Sequence, residues 1–298
     1  KFESSYRFMN QYTSKWNGVV DFYGKDRLVR EVNDMVIRRM RAEVMPELPP
    51  KVHTVRAVEF SQAQRDAYDQ VRDRMYMEMN DDDVIPVTNF LTMLLRLRQI
   101  ALWPHGVVIK RPDGTEARLE CEDSAKFDEA MNIISELLEN DEKVLVFSNF
   151  TEPIDEFVRR INAENFMYKG KKALAVAFHG ETREDIKEVR KAAFNDPDDP
   201  VAVMVGNILA MGEGLNLHHG GCSNVVFLDQ YWNPGKNEQA EDRIVRIGQT
   251  ASSINVVILR GEQCVDHYIA KLLEDKEGMI NGVINRKEFK KYMDEGLI

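Results

Sequence analysis

Lys143-Val144-Leu145-Val146-Phe147-Ser148-Asn149-Phe150 is the stretch that decides the fold class. Its apolar run has no polar alternation, so the strand it predicts is covered on both faces. Similar runs recur at 173–178, 201–205, 225–228 and 255–259. Helical stretches separate most of them, at 151–161, 182–194 and roughly 237–247. Ser124 caps an earlier helix whose Phe127, Met131, Ile134 and Leu138 face a core. Apolar strands alternating with helices imply an α/β fold, a parallel sheet with helices on both faces. Ligands of such sheets sit beyond the carboxyl ends of the strands.

Upstream of about residue 122 the texture is helical. Ser61 followed by Gln64 reads as a capping box, after which Ala63, Ala67, Val71, Met75 and Met79 recur at i+4. A Leu-rich helix covers about 87–102 and stops before Trp103-Pro104. Arg27, Arg30, Arg38, Arg39 and Arg41 mark a basic segment ending at Pro46. Leu48-Pro49-Pro50 then leads into an alternating strand over 52–60. The tail from 265 to 298 reads as one or two further helices.

The chain has 298 residues, 43% hydrophobic and 30% charged, enough for a globular core. Its net charge of −10, from 40 Lys+Arg against 50 Asp+Glu, excludes a basic coat but not a local basic groove. Asp81-Asp82-Asp83 and Asp196-Pro197-Asp198-Asp199-Pro200 read as solvated loops. No apolar run approaches the roughly 18 residues of a membrane span, so no membrane partner is expected. Cys121, Cys222 and Cys264 fit neither a zinc spacing nor a disulfide framework, which suits the cytoplasm or nucleus. His218-His219 beside Cys222 does not read as a metal site, because adjacent histidines in extended chain point apart. The chain opens at Lys1 without a signal-peptide pattern and reads as a piece of something longer.

Four strand ends are polar or glycine-rich: Phe147-Ser148-Asn149-Phe150, Phe178-His179-Gly180, Val205-Gly206-Asn207 and Met211-Gly212-Glu213-Gly214-Leu215-Asn216-Leu217. Small residues let backbone N–H groups approach an anion, as phosphate contact requires. A dinucleotide fingerprint would need a third glycine at 217, where Leu217 stands. The most specific feature is Gln239-Ala240-Glu241-Asp242-Arg243-Ile244-Val245-Arg246-Ile247-Gly248-Gln249-Thr250. Helical spacing puts Gln239, Arg243 and Arg246 on one face, with Ala240, Ile244 and Ile247 as an anchoring stripe. Two planar, always-charged forks on one face suit a polyphosphate. An ordinary Asp242–Arg246 pair on a solvated helix satisfies the same spacing.

Together with Asp229 and Trp232-Asn233-Pro234, the runs 212–217 and 239–249 resemble motifs five and six of the Swi/Snf-type ATPases of helicase superfamily two. Lys143 to Ser148 resembles motif four of that family, and Ser124-Ala125-Lys126 the start of the helix before it. Ile37-Arg38-Arg39 with Leu48-Pro49-Pro50-Lys51 looks like the connector between the two motor lobes. Gln64 to Tyr68 and Leu97-Arg98-Gln99-Ile100 look like the helical protrusion of the second lobe. The resemblance implies a RecA-like second lobe over 123–270. Before it would come a first-lobe remnant and connector at 1–50 and the lobe's start with its protrusion at 51–122; a helical tail would follow at 271–298.

No Gly-x-x-x-x-Gly-Lys-Ser/Thr and no family-like acidic pair after a strand occurs. Both belong to the family's first lobe, which holds the phosphates and magnesium. The resemblance thus implies half of a motor using ATP with Mg2+, the missing N-terminal lobe being one partner. Gly212, Gly214 and Asn216 would bind the nucleotide near its ribose, and Gln239, Arg243 and Arg246 would face the γ-phosphate. Ser148, Asn149, His179, Gly180 and Asn207 would grip the double-stranded DNA backbone, and no metal ligand is expected in this chain. Family members move along duplex DNA and remodel DNA-bound proteins. Leu209, Met211 and Asn207 depart from the family's usual Lys, Gly and Ser. The alternatives are a non-catalytic RecA-like DNA- or protein-binding module, or a lobe of a strand-separating helicase.

Overall fold

A computed structural model of the chain describes residues 10, 27–28, 30–31, 45, 47–80, 87–110, 114–211, 215–274 and 286–298. The chain divides into two compact units, Lys1–Glu47 and Leu48–Ile298. Within the first, Arg27 pairs with Glu31 at 3.0 Å, one helical turn on. The rest of the basic segment, with Arg38, Arg39 and Arg41 and the Ile37-Arg38-Arg39 of the connector, lies outside the described residues, as does Asp81-Asp82-Asp83.

The second unit runs β1 (Lys51–Val58), α1 (Gln62–Asn80), α2 (Val87–Leu102), β2 (Val108–Lys110), β3 (Glu116–Arg118), α3 (Ala125–Glu139), β4 (Val144–Ser148), α4 (Thr151–Ala163), β5 (Met167–Tyr168), β6 (Lys171–Lys172), β7 (Leu174–Phe178), α5 (Glu184–Asn195), β8 (Val201–Asn207), β9 (Asn224–Phe227), α6 (Pro234–Glu241), β10 (Ile254–Gly261), α7 (Val265–Glu274) and α8 (Arg286–Asp294). Six strands form one sheet in the order β1-β10-β9-β4-β8-β7, and every pairing in it is parallel. The fold is RecA-like α/β. Two small antiparallel hairpins, β2–β3 and β5–β6, have no counterpart in the sequence reading.

Period-2 geometry sends alternate residues of β4 to opposite faces. Val144 and Val146 join a core with Phe127 and Ile134 of α3 and Phe157 of α4. Leu145 and Phe147 join a second core with Phe227, Ala240 and Ile244. Both faces are thereby buried, which explains why the strand is apolar throughout. A third core packs Tyr68 of α1 and Leu97 of α2 against Val265, Tyr268 and Ile269 of α7.

Polar side chains fix the joints between these layers. Ser61 Oγ accepts from the Gln64 N–H at 3.1 Å, which is half of the expected capping box. The other half is not made, because the fully buried Gln64 amide serves tertiary structure. It donates to the carbonyls of Ile100 and Ala101 and accepts from the Ala125 N–H, tying the end of α2 to the start of α3. Lys143, 1% exposed, donates to the carbonyls of Phe194, Asp196 and Val201 and so ties the start of β4 to the α5–β8 turn. Burial pulls its pKa down to about 8. Among the described residues no helix is long and apolar enough to cross a membrane.

Candidate functional site

At the carboxyl ends of β4, β8 and β9 the polar residues form one hydrogen-bonded chain centred on Asp229. This carboxylate is 5% exposed and uses both oxygens. Oδ1 accepts from Ser148 Oγ at 2.6 Å and from the Asn149 N–H at 3.1 Å. Oδ2 accepts from the Asn149 side-chain amide and from Arg98 Nη2, the latter at 3.3 Å. The Asn149 carbonyl in turn accepts from the Asn207 amide at 2.8 Å. Asn207 Oδ1 accepts from the N–H groups of Leu209 and Ala210, closing the turn after β8. That turn returns beneath the sheet because Gly206 has no side chain: a Cβ there would stand 1.7 Å from Met211 Sδ. Met211, fully buried, fills the space.

His179 follows β7 at the same edge, buried, with Nε2 3.0 Å from Asp155 of α4. Gly180 next to it is exposed, and a Cβ there would meet nothing within 4 Å. Packing therefore does not require glycine at 180. Of the five residues expected to contact DNA, Asn149, Asn207 and Gly180 reach the surface, whereas Ser148 is fully buried and His179 nearly so. Their side chains hold the edge together from beneath.

The second expected cluster lies at the opposite, amino edge of the sheet. Lys51, which opens β1, pairs with Glu241 at 2.7 Å and Asp242 at 3.0 Å, so α6 ends beside the strand starts. Asn216, expected with the strand carboxyl ends, is also found here, where its carbonyl accepts from Asn195 at the end of α5. Gly212 and Gly214 lie outside the described residues.

The helix expected over 237–247 stops at Glu241, with Asp242 as its C-cap. Gln239, Arg243 and Arg246 therefore do not share a helical face, and Ile247, expected in the anchoring stripe, is 68% exposed. Ala240 and Ile244 are buried as expected. Beyond the cap the chain turns, held by Gln249, whose amide donates to the carbonyls of Cys222 and Ile244. Gly248, at φ +97°, takes a conformation that L side chains rarely adopt.

The two arginines are held differently. Arg243 is 6% exposed and donates to the carbonyls of Gln239 (3.0 Å) and Leu215 (3.3 Å). Its own carbonyl accepts from the Leu217 N–H, so it stitches 239–243 to 215–217. Arg246 is half-buried and is steered by one bond, from Nε to the Asp242 carbonyl at 3.0 Å. Its terminal nitrogens make no hydrogen bond among the described residues. The ordinary Asp242–Arg246 carboxylate pair is not formed; the Asp242 carboxylate faces Lys51.

His218 lies against this turn, buried, with its ring 4.0 Å from that of His219. Burial, then His219 and Arg246, hold its imidazole below the usual pKa. The neighbouring Cys222 thiol is fully buried and pushed up to about 12, so it is protonated at neutral pH. Among the described residues no three His, Cys, Asp or Glu side chains are grouped to hold a metal ion.

Sequence reasoning missed the roles of Asp229, Arg98 and Asp155. Asp229 stood within the motif-bearing run, but only the fold shows that it receives groups from α2 and β4.

Residues 125–248 match the helicase conserved C-terminal domain and residues 1–105 the SNF2-related domain. These matches make the chain similar to the SNF2-type helicase-related ATPases. An uncharacterized ATP-dependent helicase of Mycoplasma genitalium is 28% identical over 254 residues, 85% of this chain. The chain spans 23% of that relative's length. In fold the chain resembles the C-terminal part of the Fun30 ATPase domain (TM-score 0.62, 18% identity, 83% of this chain and 96% of that one). It also resembles the Sulfolobus solfataricus SWI2/SNF2 ATPase core solved in complex with double-stranded DNA (TM-score 0.61, 22% identity, 99% of this chain and 60% of that one). The second unit has the architecture of the C-terminal, RecA-like lobe of SWI2/SNF2 ATPases.

Proposed function

We infer that the whole protein is a DNA-dependent ATPase that moves along duplex DNA, and that this chain supplies its second lobe. The observation that carries this reading is Arg246. Its guanidinium is aimed by a backbone carbonyl while its terminal nitrogens make no hydrogen bond among the described residues. A planar cation in that state suits charge building on a transferred phosphoryl group. Arg246 is the γ-phosphate contact; Arg243 fixes the turn that presents it, and exposed Gln239 flanks the site. Gly212, Gly214 and Asn216 would lie towards the ribose. ATP with Mg2+ supplies the phosphoanhydride and its charge neutralisation. A first lobe completes the site with the phosphate cradle and the magnesium ligands.

At the opposite sheet edge, Asn149, Gly180 and Asn207 offer amides and backbone to the phosphates of double-stranded DNA, with Ser148 and His179 supporting them. Groups of this kind fix position on the backbone without reading bases. Opening and closing of the nucleotide cleft would drag the gripped strand and displace a DNA-bound protein target. The test is DNA-stimulated ATP hydrolysis by the full-length protein with and without Arg246→Ala. An unchanged rate removes this reading and leaves a binding module.

A further inference from the structure

Arg98 lies on α2, in the helical layer, far in sequence from every strand end that could touch DNA. It is 7% exposed. Nη2 donates to Asp229 Oδ2 at 3.3 Å and to the Gln230 carbonyl at 2.9 Å, and the guanidinium stands 5.6 Å from the centre of the Phe150 ring. Asp229 spends its remaining acceptor positions on Ser148 and on both donors of Asn149. Ser148 Oγ accepts in turn from the Phe150 N–H at 3.3 Å, and Asn149 passes the chain on to Asn207.

Four donors thus converge on the two Asp229 oxygens, and a buried carboxylate is costly without a cationic partner. Among the described residues Arg98 is the cation within salt-bridge distance of Asp229. Without it, Asp229 keeps its three bonds to Ser148 and Asn149 but loses the contact that fixes Oδ2 and ties it to α2. That loss loosens Asn149, whose backbone and side chain both donate to Asp229. The same Nη2 is also held by the Gln230 carbonyl, so its placement follows that of α2 and of the turn after β9 at once.

We propose that Arg98 is a positioning residue for the DNA-contact turn at 148–150 and, through Asn149, for Asn207, so that the placement of the helical layer sets the grip on the phosphate backbone. This rests on reading the carboxyl edge as the DNA surface, and the test separates the two. Hydrogen exchange in the full-length protein without DNA addresses the link itself. Arg98→Ala should raise exchange at the Asn149 and Phe150 amides while leaving β4 protected, and unchanged exchange at those amides overturns the proposal.

DNA-stimulated ATPase addresses its consequence. Arg98→Ala should raise the half-saturating DNA concentration by about tenfold, the scale of a lost hydrogen bond to a charged group. The rate at saturating DNA should fall by less than about twofold. Arg98→Ala with Asn149→Ala should bind DNA no more weakly than Asn149→Ala alone, because both act through one contact. Multiplying effects overturn the proposal. Should Arg98→Ala fail to fold, Arg98→Lys retains the charge but not the planar group whose Nη2 serves both Asp229 and the Gln230 carbonyl. It should give a smaller shift in both measurements, and none in either overturns the proposal. If exchange rises as expected but the unaltered protein shows no response to DNA, the DNA reading of this edge fails while the positioning link stands.

Discussion

Arg243 donates from its guanidinium to the backbone carbonyl of Leu215 at 3.3 Å, joining the two runs on which the family resemblance rests. Arg243 and Leu215 are 28 residues apart in sequence and meet at the amino edge of the sheet. The contact gives the two arginines separable duties. Arg243 is a buried tie, and Arg246 is the cation that the turn presents.

Removing the tie should cost stability. Arg243→Ala leaves two carbonyls without their charged donor, and a loss of roughly 1–3 kcal/mol is expected. Arg246→Ala touches one carbonyl at a half-exposed site and should stay within about 0.5 kcal/mol of the parent. Chemical denaturation of both variants checks this, and equal losses would contradict the division of duties.

The turn after β8 depends on an absent side chain. A Cβ at Gly206 would overlap Met211, so Gly206→Ala should destabilise by about 1–3 kcal/mol through overpacking. Met211→Ala clears that space, so the double variant should lose less than the sum of the singles. A double-mutant cycle measured by thermal unfolding reads the coupling. Strict additivity would mean that the backbone moves instead.

Gly180 presents the reverse case. It has open space and no left-handed backbone, so Gly180→Ala should leave stability within about 0.5 kcal/mol. Gly180→Asp should fold equally well yet weaken duplex binding several-fold at fixed salt, by setting a carboxylate against phosphate. Anisotropy titrations of the full-length protein distinguish this from an inert surface, for which both variants would bind as the parent does.

Acid should act partly through Glu156. Hydrogen bonds from Arg159, opposed by burial and joined by Arg160, bring its pKa down from 4.5 to about 2. A carboxylate with a depressed folded pKa stabilises fully above its unfolded value and loses that contribution as pH falls through the folded one. The window is therefore about pH 4.5 to about 2. Solvent screening of the outward-facing Arg159 keeps the effect small. Glu156→Gln should show a shallower decline of stability across that window, and curves of equal slope would remove the assignment.

The strands of the sheet were legible because burial on both faces leaves continuous apolar runs, and 144–147 or 201–205 can hardly be read otherwise. The helix at 234–241 was overextended for a definite reason. The i, i+4, i+7 spacing of Gln239, Arg243 and Arg246 continues past Asp242, but the backbone does not, and buried Arg243 turns inward to Leu215. Gln64 looked like a local cap and is a tertiary clamp, since nothing within its own helix announces the carbonyls of Ile100 and Ala101. Asp229 was visible only as part of a motif. Its donors come from α2 and β4, separations that no local pattern encodes.

Arg246 carries the proposed chemistry of the full-length protein. Arginines that act on a transferred phosphoryl group are worth roughly 10³–10⁵ in turnover. DNA-stimulated ATP hydrolysis by full-length Arg246→Ala should therefore fall by about 10³ or more with unfolding unchanged, and Arg246→Lys should recover little of it, since a point charge lacks the planar fork. A well-folded Arg246→Ala enzyme that hydrolyses ATP within a few-fold of the parent rate would contradict this role.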